Sequence, residues 1–243
     1  MVEISWLGRV SYEAAWNMQK ALVAERTAAA LPDRLLLLEH EPVYTLGRSG
    51  KEAHLLLDEA QRAAAGIGLH WVDRGGDITY HGPGQLVGYP ILDLKRLYGN
   101  RGLARPDLHL YLREIEGVLM ATLAVFGVRG WRYPGYTGVW VDTPAGPHKI
   151  AAIGVKVNSQ GISSHGFALN VDPNLDHFAG IVPCGIEEHG VTSLAECLSR
   201  PVAIQEVISP LVAAFATLFQ VETRFATPFV SAYNEGEERR RET

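Results

Sequence analysis

The spacing of apolar positions changes several times along the chain, and each change predicts an element. Val2, Ile4 and Trp6 alternate with Glu3 and Ser5, which predicts a first strand. Ser11 then reads as the cap of a helix through YEAAWNMQKALVAERTAAA (12–30), closed by Pro32. RLLLLEH (34–40) is an apolar run of buried-strand length, and Pro42 limits its continuation into VYTLGRSG (43–50). Residues 58–66 predict a helix and LHWVD (69–73) a strand, after which RGGDITYHGPGQ (74–85) reads as a bare loop.

Beyond the loop, LVGYPILDL (86–94) predicts a strand and KRLYGNRGLAR (95–105) a polar connection. Leu108, Leu112, Ile115, Leu119, Leu123 and Phe126 recur at helical spacing up to Gly127. TGVWV (137–141), KIAAIGVKV (149–157) and SSHGFALNV (163–171) follow as strands. Pro201 suits the first turn of a last helix over 202–219, which Pro210 should kink or divide. With no repeat or composition break, residues 1–230 read as a single α/β domain with a mostly antiparallel or mixed sheet, with room for a small C-terminal subdomain. Residues 231–243, ending in NEGEERRRET, read as a charged, flexible tail.

Composition narrows the function classes. A chain of 243 residues with a net charge of -5 lacks the basic balance of a nonspecific nucleic-acid binder. No apolar run reaches the roughly 18 residues of a membrane span, and the acidic start MVEISWLGRV does not resemble a secretory signal. Two cysteines make no disulfide framework or zinc spacing, which points to a reducing cytosol. The basic stretch Lys95, Arg96, Arg101 and Arg105 is either a dock for an acidic partner or a solvated loop.

Three segments could carry chemistry. The glycines of residues 74–85 can bare backbone N–H groups toward a phosphate, a carbonyl or an oxyanion, and Arg74, Thr79, His81 and Gln85 bring more hydrogen-bonding groups than a turn requires. The segment matches neither nucleotide fingerprint, GxxxxGK[ST] or GxGxxG. Cys184, between Pro183 and Gly185, stands on a loop and is a candidate nucleophile, whereas Cys197 reads as a small apolar residue on a helix. A thiol needs a neighbour to form thiolate at neutral pH, and Lys149, opening an apolar strand, competes with nine histidines for that role. A strand-end lysine reaching water and an inert cysteine are the plainer readings. Small residues in AAIGV (151–155) and HGFAL (165–169) leave room either for a ligand or for close packing of the core.

Together these segments resemble the octanoyltransferases of lipoate biosynthesis. The family pattern RGGxxTxHxxGQ stands here as Arg74, Gly75, Gly76, Thr79, His81, Gly84 and Gln85, followed by Tyr89. LLLLEHEPVYTLGR, KIAAIGVKV, SSHGFALNV, PCGI and GVTSL match further family blocks in order, from residue 33 to 195. The resemblance implies an α/β (α+β) fold, a mixed sheet flanked by helices, similar to the catalytic domains of lipoate and biotin protein ligases. It implies transfer of octanoate from octanoyl-acyl carrier protein through a Cys184 thioester to a lysine of lipoyl domains, the first step of endogenous protein lipoylation. Those domains would belong to 2-oxoacid dehydrogenase E2 subunits and the glycine cleavage H protein.

By the same resemblance Cys184 and Lys149 form a dyad. The substrate-binding segments become Arg74, Gly75, Gly76, Asp77, Ile78, Thr79, Tyr80 and His81, then Ala152, Ile153 and Gly154, then Gly166, Phe167 and Ala168. No cofactor, ATP or metal is expected, because the donor protein carries its own phosphopantetheine arm. No nucleic-acid or membrane partner is expected, and the location is cytoplasmic. Three rivals stay open: an ATP-dependent lipoate or biotin protein ligase, a cysteine thioesterase or amidase, and a noncatalytic acyl-binding protein.

Overall fold

The computed structural model describes residues 1–28, 31–103, 105–186 and 188–226; the tail at 231–243 lies outside the described residues. Strand β1 (Val2–Val10) leads into helix α1 (Tyr12–Thr27), where the Ser11 hydroxyl accepts from the Ala14 N–H at 3.3 Å and caps the first turn. Strand β2 (Asp33–His40) lies parallel to β1. After Pro42 the chain leaves this sheet, and β3 (Val43–Leu46) joins β4 (Gly68–Trp71) and β5 (Ile78–His81) in a separate three-stranded sheet, ordered β4-β3-β5. Between β3 and β4, helix α2 (Glu59–Ala64) begins in a capping box of Asp58 and Gln61.

β6 (Gln85–Ile91) returns to the first sheet antiparallel to β2. The polar connection after it holds a short helix, α3 (Leu94–Gly99), capped by Asp93. Helix α4 (Leu108–Val125) is followed by β7 (Val139–Thr143), β8 (Gly146–Val157) and β9 (Ser163–Asn170). Helix α5 (Leu194–Leu198), helix α6 (Ile204–Phe219) and β10 (Thr223–Phe225) complete a seven-stranded sheet, ordered β10-β1-β2-β6-β9-β8-β7. The sheet is mixed: β10, β1 and β2 run parallel to one another, and the pairs from β2 to β7 are antiparallel.

One face of the large sheet packs on α4 and α6 through Leu35, Leu37, Phe167 and Leu169. The opposite face packs on α1 through Leu36, Leu38, Val87 and Ala168, and Tyr12 of α1 also meets Val43 of the small sheet. A gap between α1 and the two sheets follows from this arrangement. Among the described residues the C-terminal elements join the main body: α6 shares the main core and β10 pairs with β1. α6 runs undivided through Pro210, which lies off its buried face of Val207, Ile208, Leu211, Val212 and Phe215.

The face that α4 buries differs from its leucine spacing. Leu108 is 48% exposed, whereas Tyr111, Glu114 and Glu116 turn inward. Glu114 accepts from the Tyr98 hydroxyl and Arg101, and Glu116 accepts from Arg113, Arg132 and the Gly138 N–H. These partners satisfy carboxylates that hydropathy alone would place in water.

Candidate active site

The bare loop is half strand. Residues 73–77 turn, and β5 then alternates: Thr79 and His81 face the gap, while Ile78 and Tyr80 point the other way into a cluster with Tyr44 and Phe178. The turn is held from outside by the segment after β3, where Arg48 N–H donates to the Arg74 carbonyl at 3.0 Å and Ser49 N–H to the Gly76 carbonyl at 3.1 Å. Gly75 donates to Val155 of β8 and lies off the cavity. Among the described residues, no hydrogen bond engages the N–H groups of Gly76 or Asp77.

A cavity of about 230 Å³ fills the gap. It is smaller than the roughly 300 to 1,000 Å³ of drug-sized ligand sites, a scale suited to one narrow chain. Its walls come from α1 (Tyr12), the loop and β5 (Arg74, Gly76, Asp77, Thr79, His81), and the β8–β9 pair (Ala152 to Gly154, Gly166 to Ala168). Cys184 and Lys149 both line it. Of the expected site residues, Gly75, Ile78 and Tyr80 do not, because of the loop's tie to β8 and the pleat of β5.

The glycines serve the protein's own packing as much as any ligand. A Cβ on Gly154 would stand 2.9 Å from both Arg74 Cδ and the Gly75 carbonyl, and one on Gly166 would meet the Gly88 carbonyl. Ala152 and Ala168, paired across β8 and β9, are the small side chains that leave the cavity open.

Cys184 sits in a short 3-10 turn at φ 57°, ψ 17°, a left-handed conformation that non-glycine residues rarely adopt. Strain of this kind persists only where surroundings enforce it, and it clusters at functional sites. Val182 N–H donates to the His54 carbonyl at 2.8 Å, and His54 Nδ1 donates to Asp77 at 2.5 Å, so the cysteine turn rests on the glycine loop. Downstream, Lys149 N–H donates to Gly190 and Thr192 N–H donates back to Lys149. The segment carrying the thiol is thereby stitched to the strand carrying the amine. Lys149 is 6% exposed, with Nζ 5.1 Å from the Trp140 ring centre.

Arg74 dominates the electrostatics. Its guanidinium is buried and bonded only to neutral acceptors, the Thr45 carbonyl at 2.7 Å, the Thr45 hydroxyl at 2.8 Å and the Gly75 carbonyl at 3.0 Å. Burial draws its pKa down, opposed by Tyr12, Cys184, Tyr89 and Asp77, which feel its charge. An anion at Cys184 would thus face a buried cation. Burial also holds His81 well below the usual histidine range and brings His40 to about 4, so the aromatic wall is neutral. His165 lines the cavity at φ 54°, with Nε2 donating to Asp73 and Nδ1 buried without a partner. Arg74 Nε is likewise unpartnered, and buried polar atoms left open beside a cavity are where a ligand or water is expected.

Residues 11–216 match the family model of the lipoyl protein ligase A/B catalytic domain. An octanoyltransferase of Gloeobacter violaceus is 50% identical over 88% of this chain and 89% of its own length, and one of Chloroflexus aurantiacus is 45% identical over 91% and 95%. The chain belongs to the octanoyltransferase family. It is an acyltransferase, and its reaction is octanoyl transfer in lipoate biosynthesis. The fold is also that of a bipartite lipoate protein ligase from Thermoplasma acidophilum, with a TM-score of 0.68 at 18% identity over 98% of this chain and 90% of that one.

In this octanoyltransferase several cavity residues escape sequence reasoning. Tyr12, Gly135, Tyr136, Thr137, His165 and Ile186 line the site from separate parts of the chain, and only His165, beside the small-residue run, and Ile186, in PCGI, carried any local signal. The basic stretch is largely engaged: Arg96 pairs with Asp33, Arg101 with Glu114, and Lys95 donates to the Ser159 carbonyl. None of these three lines the cavity. Cys197 is exposed on α5, not packed, and lies off the cavity. Among the described residues, no group of three or more His, Cys, Asp or Glu could hold a metal, and no helix is long and apolar enough to cross a membrane.

Proposed function

We propose that the octanoyl donor is the thioester of an acyl carrier protein, that Cys184 takes the acyl group, and that Lys149 moves the protons. The observation that carries the reading is a strained cysteine and a buried lysine opening onto one acyl-sized cavity beside the buried Arg74 charge. Cys184 and Lys149 share one proton, and the sulfur reacts as thiolate. The thiolate attacks the thioester carbonyl, and the oxyanion formed is met by the N–H groups of Gly76 and Asp77. Such donors contribute about 3 to 4 kcal/mol each in enzymes where they have been removed. The C–S bond to the carrier breaks, and its thiol leaves with the proton of Lys149.

A neutral lysine amine of a lipoyl domain then attacks the octanoyl-Cys184 carbonyl. The amine proton passes to Lys149, Cys184 departs as thiolate, and the starting pair is restored with an amide formed. Lipoyl domains of 2-oxoacid dehydrogenase E2 subunits and the glycine cleavage H protein are the proposed acceptors. No ATP or metal enters, since a thioester is already activated relative to an amide. Burying seven CH₂ and CH₃ groups at about 0.8 kcal/mol each holds the chain by roughly 5 to 6 kcal/mol before ordering costs.

Incubation with octanoyl-carrier protein in the absence of ATP should give an intact-mass adduct on Cys184 that an added lipoyl domain discharges. Transfer that survives Cys184→Ala, or an absolute need for ATP, defeats the reading. Discharge to water as fast as to the lipoyl domain identifies a thioesterase instead.

A further inference from the structure

Part of the cavity lining comes from outside α1, the glycine loop and the β8–β9 pair. Gly135, Tyr136 and Thr137 line its Lys149 side, on a loop held by Glu116, which accepts from Arg132 before the loop and from the Gly138 N–H after it. Behind this rim stands a box of rings. The centre of Tyr133 lies 5.3 Å from Tyr136, 5.1 Å from Trp140 and 4.9 Å from His189, and Trp140 is the ring beneath Lys149 Nζ. Tyr136 is half-buried, and its hydroxyl donates to the exposed carboxylate of Glu188 at 3.4 Å. The Glu188 charge in turn pushes the Tyr136 phenol upward.

This rim solves a problem set by the rest of the site. A lysine acceptor arrives as an ammonium, because its ordinary pKa is near 10.4. The cavity presents it with the buried like charge of Arg74, while Asp77, the one acidic lining residue among those described, is occupied by His54 and by the N–H groups of Lys51 and Ile78. An ammonium needs a counter-charge and a surface it can slide along while shedding water. Glu188 supplies the first, and the face of Tyr136 supplies the second.

We infer that Glu188 and Tyr136 form the entry through which the acceptor's lysine side chain reaches Cys184. Glu188 draws in the ammonium, and Tyr136 carries its stem and head inward. Next to Lys149 and Arg74 the ammonium gives one proton to solvent and becomes the nucleophile. Glu188 is a positioning residue and touches no reacting atom. The inference rests on the proposed lysine acceptor and names the residues that admit it.

The two half-reactions separate the inference from that reading. The parent protein and the variants Glu188→Gln and Tyr136→Leu are loaded with octanoyl from the carrier thioester, and the acyl-enzyme is then discharged by a lipoyl domain or by neutral hydroxylamine. Loading and hydroxylamine discharge of Glu188→Gln should stay within about twofold of the parent, while discharge by the lipoyl domain should slow about tenfold, as expected on losing an attractive charge at an entrance. Tyr136→Leu, which alters the cavity lining itself, should slow discharge by the lipoyl domain more than discharge by hydroxylamine. Equal slowing with both nucleophiles, or lipoyl-domain discharge within about twofold of the parent, overturns the inference. A parent that never acylates Cys184 overturns the underlying reading and the inference with it, before any variant is compared.

Discussion

His40 offers a quantitative test of how the acyl-site wall is held. It lies at the end of β2 with no exposed surface, and its partners assign its tautomer. Nδ1–H donates to the Val10 carbonyl at 2.9 Å, which leaves Nε2 to accept from the Tyr89 hydroxyl at 2.7 Å. Tyr89 lines the cavity, and the His40 ring also contacts Tyr12 and His81. Protonation would put an unpaired charge among rings and break the Tyr89 bond. Burial therefore brings the His40 pKa from 6.5 down to about 4, with the Val10 bond opposing and the His70 charge adding to it.

The folded pKa lies below the unfolded one, so the contribution of His40 to stability is fully present above about pH 6.5 and is lost as pH falls toward about 4. At 1.36 kcal/mol per pH unit this amounts to about 3 kcal/mol, with no further loss in stronger acid. His40→Asn keeps a donor for Val10 without titrating. It should lower stability by a constant amount through lost packing, yet remove about 3 kcal/mol of the acid dependence seen in the parent. Urea unfolding of both proteins, followed by tryptophan fluorescence in steps from about pH 7.5 to about 4, reads this directly. His165 titrates in both, so the difference curve reports His40 together with its coupling to His81. Parallel curves across the whole range would refute the reasoning.

Two further outcomes follow from the cavity walls. Gly154→Ala places a Cβ 2.9 Å from Arg74 Cδ, which should cost about 1 to 3 kcal/mol in urea unfolding and slow the loading of Cys184, because Arg74 must move. Unchanged loading would mean that the position of the Arg74 charge does not matter. Ala168→Leu fills the space opposite Ala152 and should shift competition between hexanoyl and octanoyl thioesters toward the shorter chain by about 10- to 100-fold; an unchanged ratio would show that the chain does not lie on the β8–β9 face.

The elements that local pattern could show were those with short-range causes. The spacing from Leu108 to Phe126 marked α4, and the apolar run at 34–40 marked β2, because both patterns repeat within a few residues. The strand hidden in the glycine loop was not legible. β5 is a strand only because Val43 to Leu46, more than thirty residues upstream, pairs with it. The short helix α3 was missed for another reason, since its apolar contacts, Leu94, Leu97 and Tyr98, sit among the charges of the polar connection.

Cys184 and Lys149 could be singled out by type and setting, but the cavity they share is assembled by tertiary pairing. The glycine at 154 was legible as bare, though not as the seat of Arg74. Tyr136 and Glu188 had no signal at all, because what distinguishes them is a meeting of two loops around Lys149.

The segment bearing Cys184 spans the two sheets. On one side it hangs from His54, which is tied to the loop leading into β5, and on the other it is bonded to Lys149 in the large sheet. If Cys184 and Lys149 act as proposed, an acyl chain that wedges the two sheets apart would pull on the stretch of chain between sulfur and amine. Misfit would then cost turnover more than affinity, and a long chain that binds well would act as a slow inhibitor, not a poor ligand.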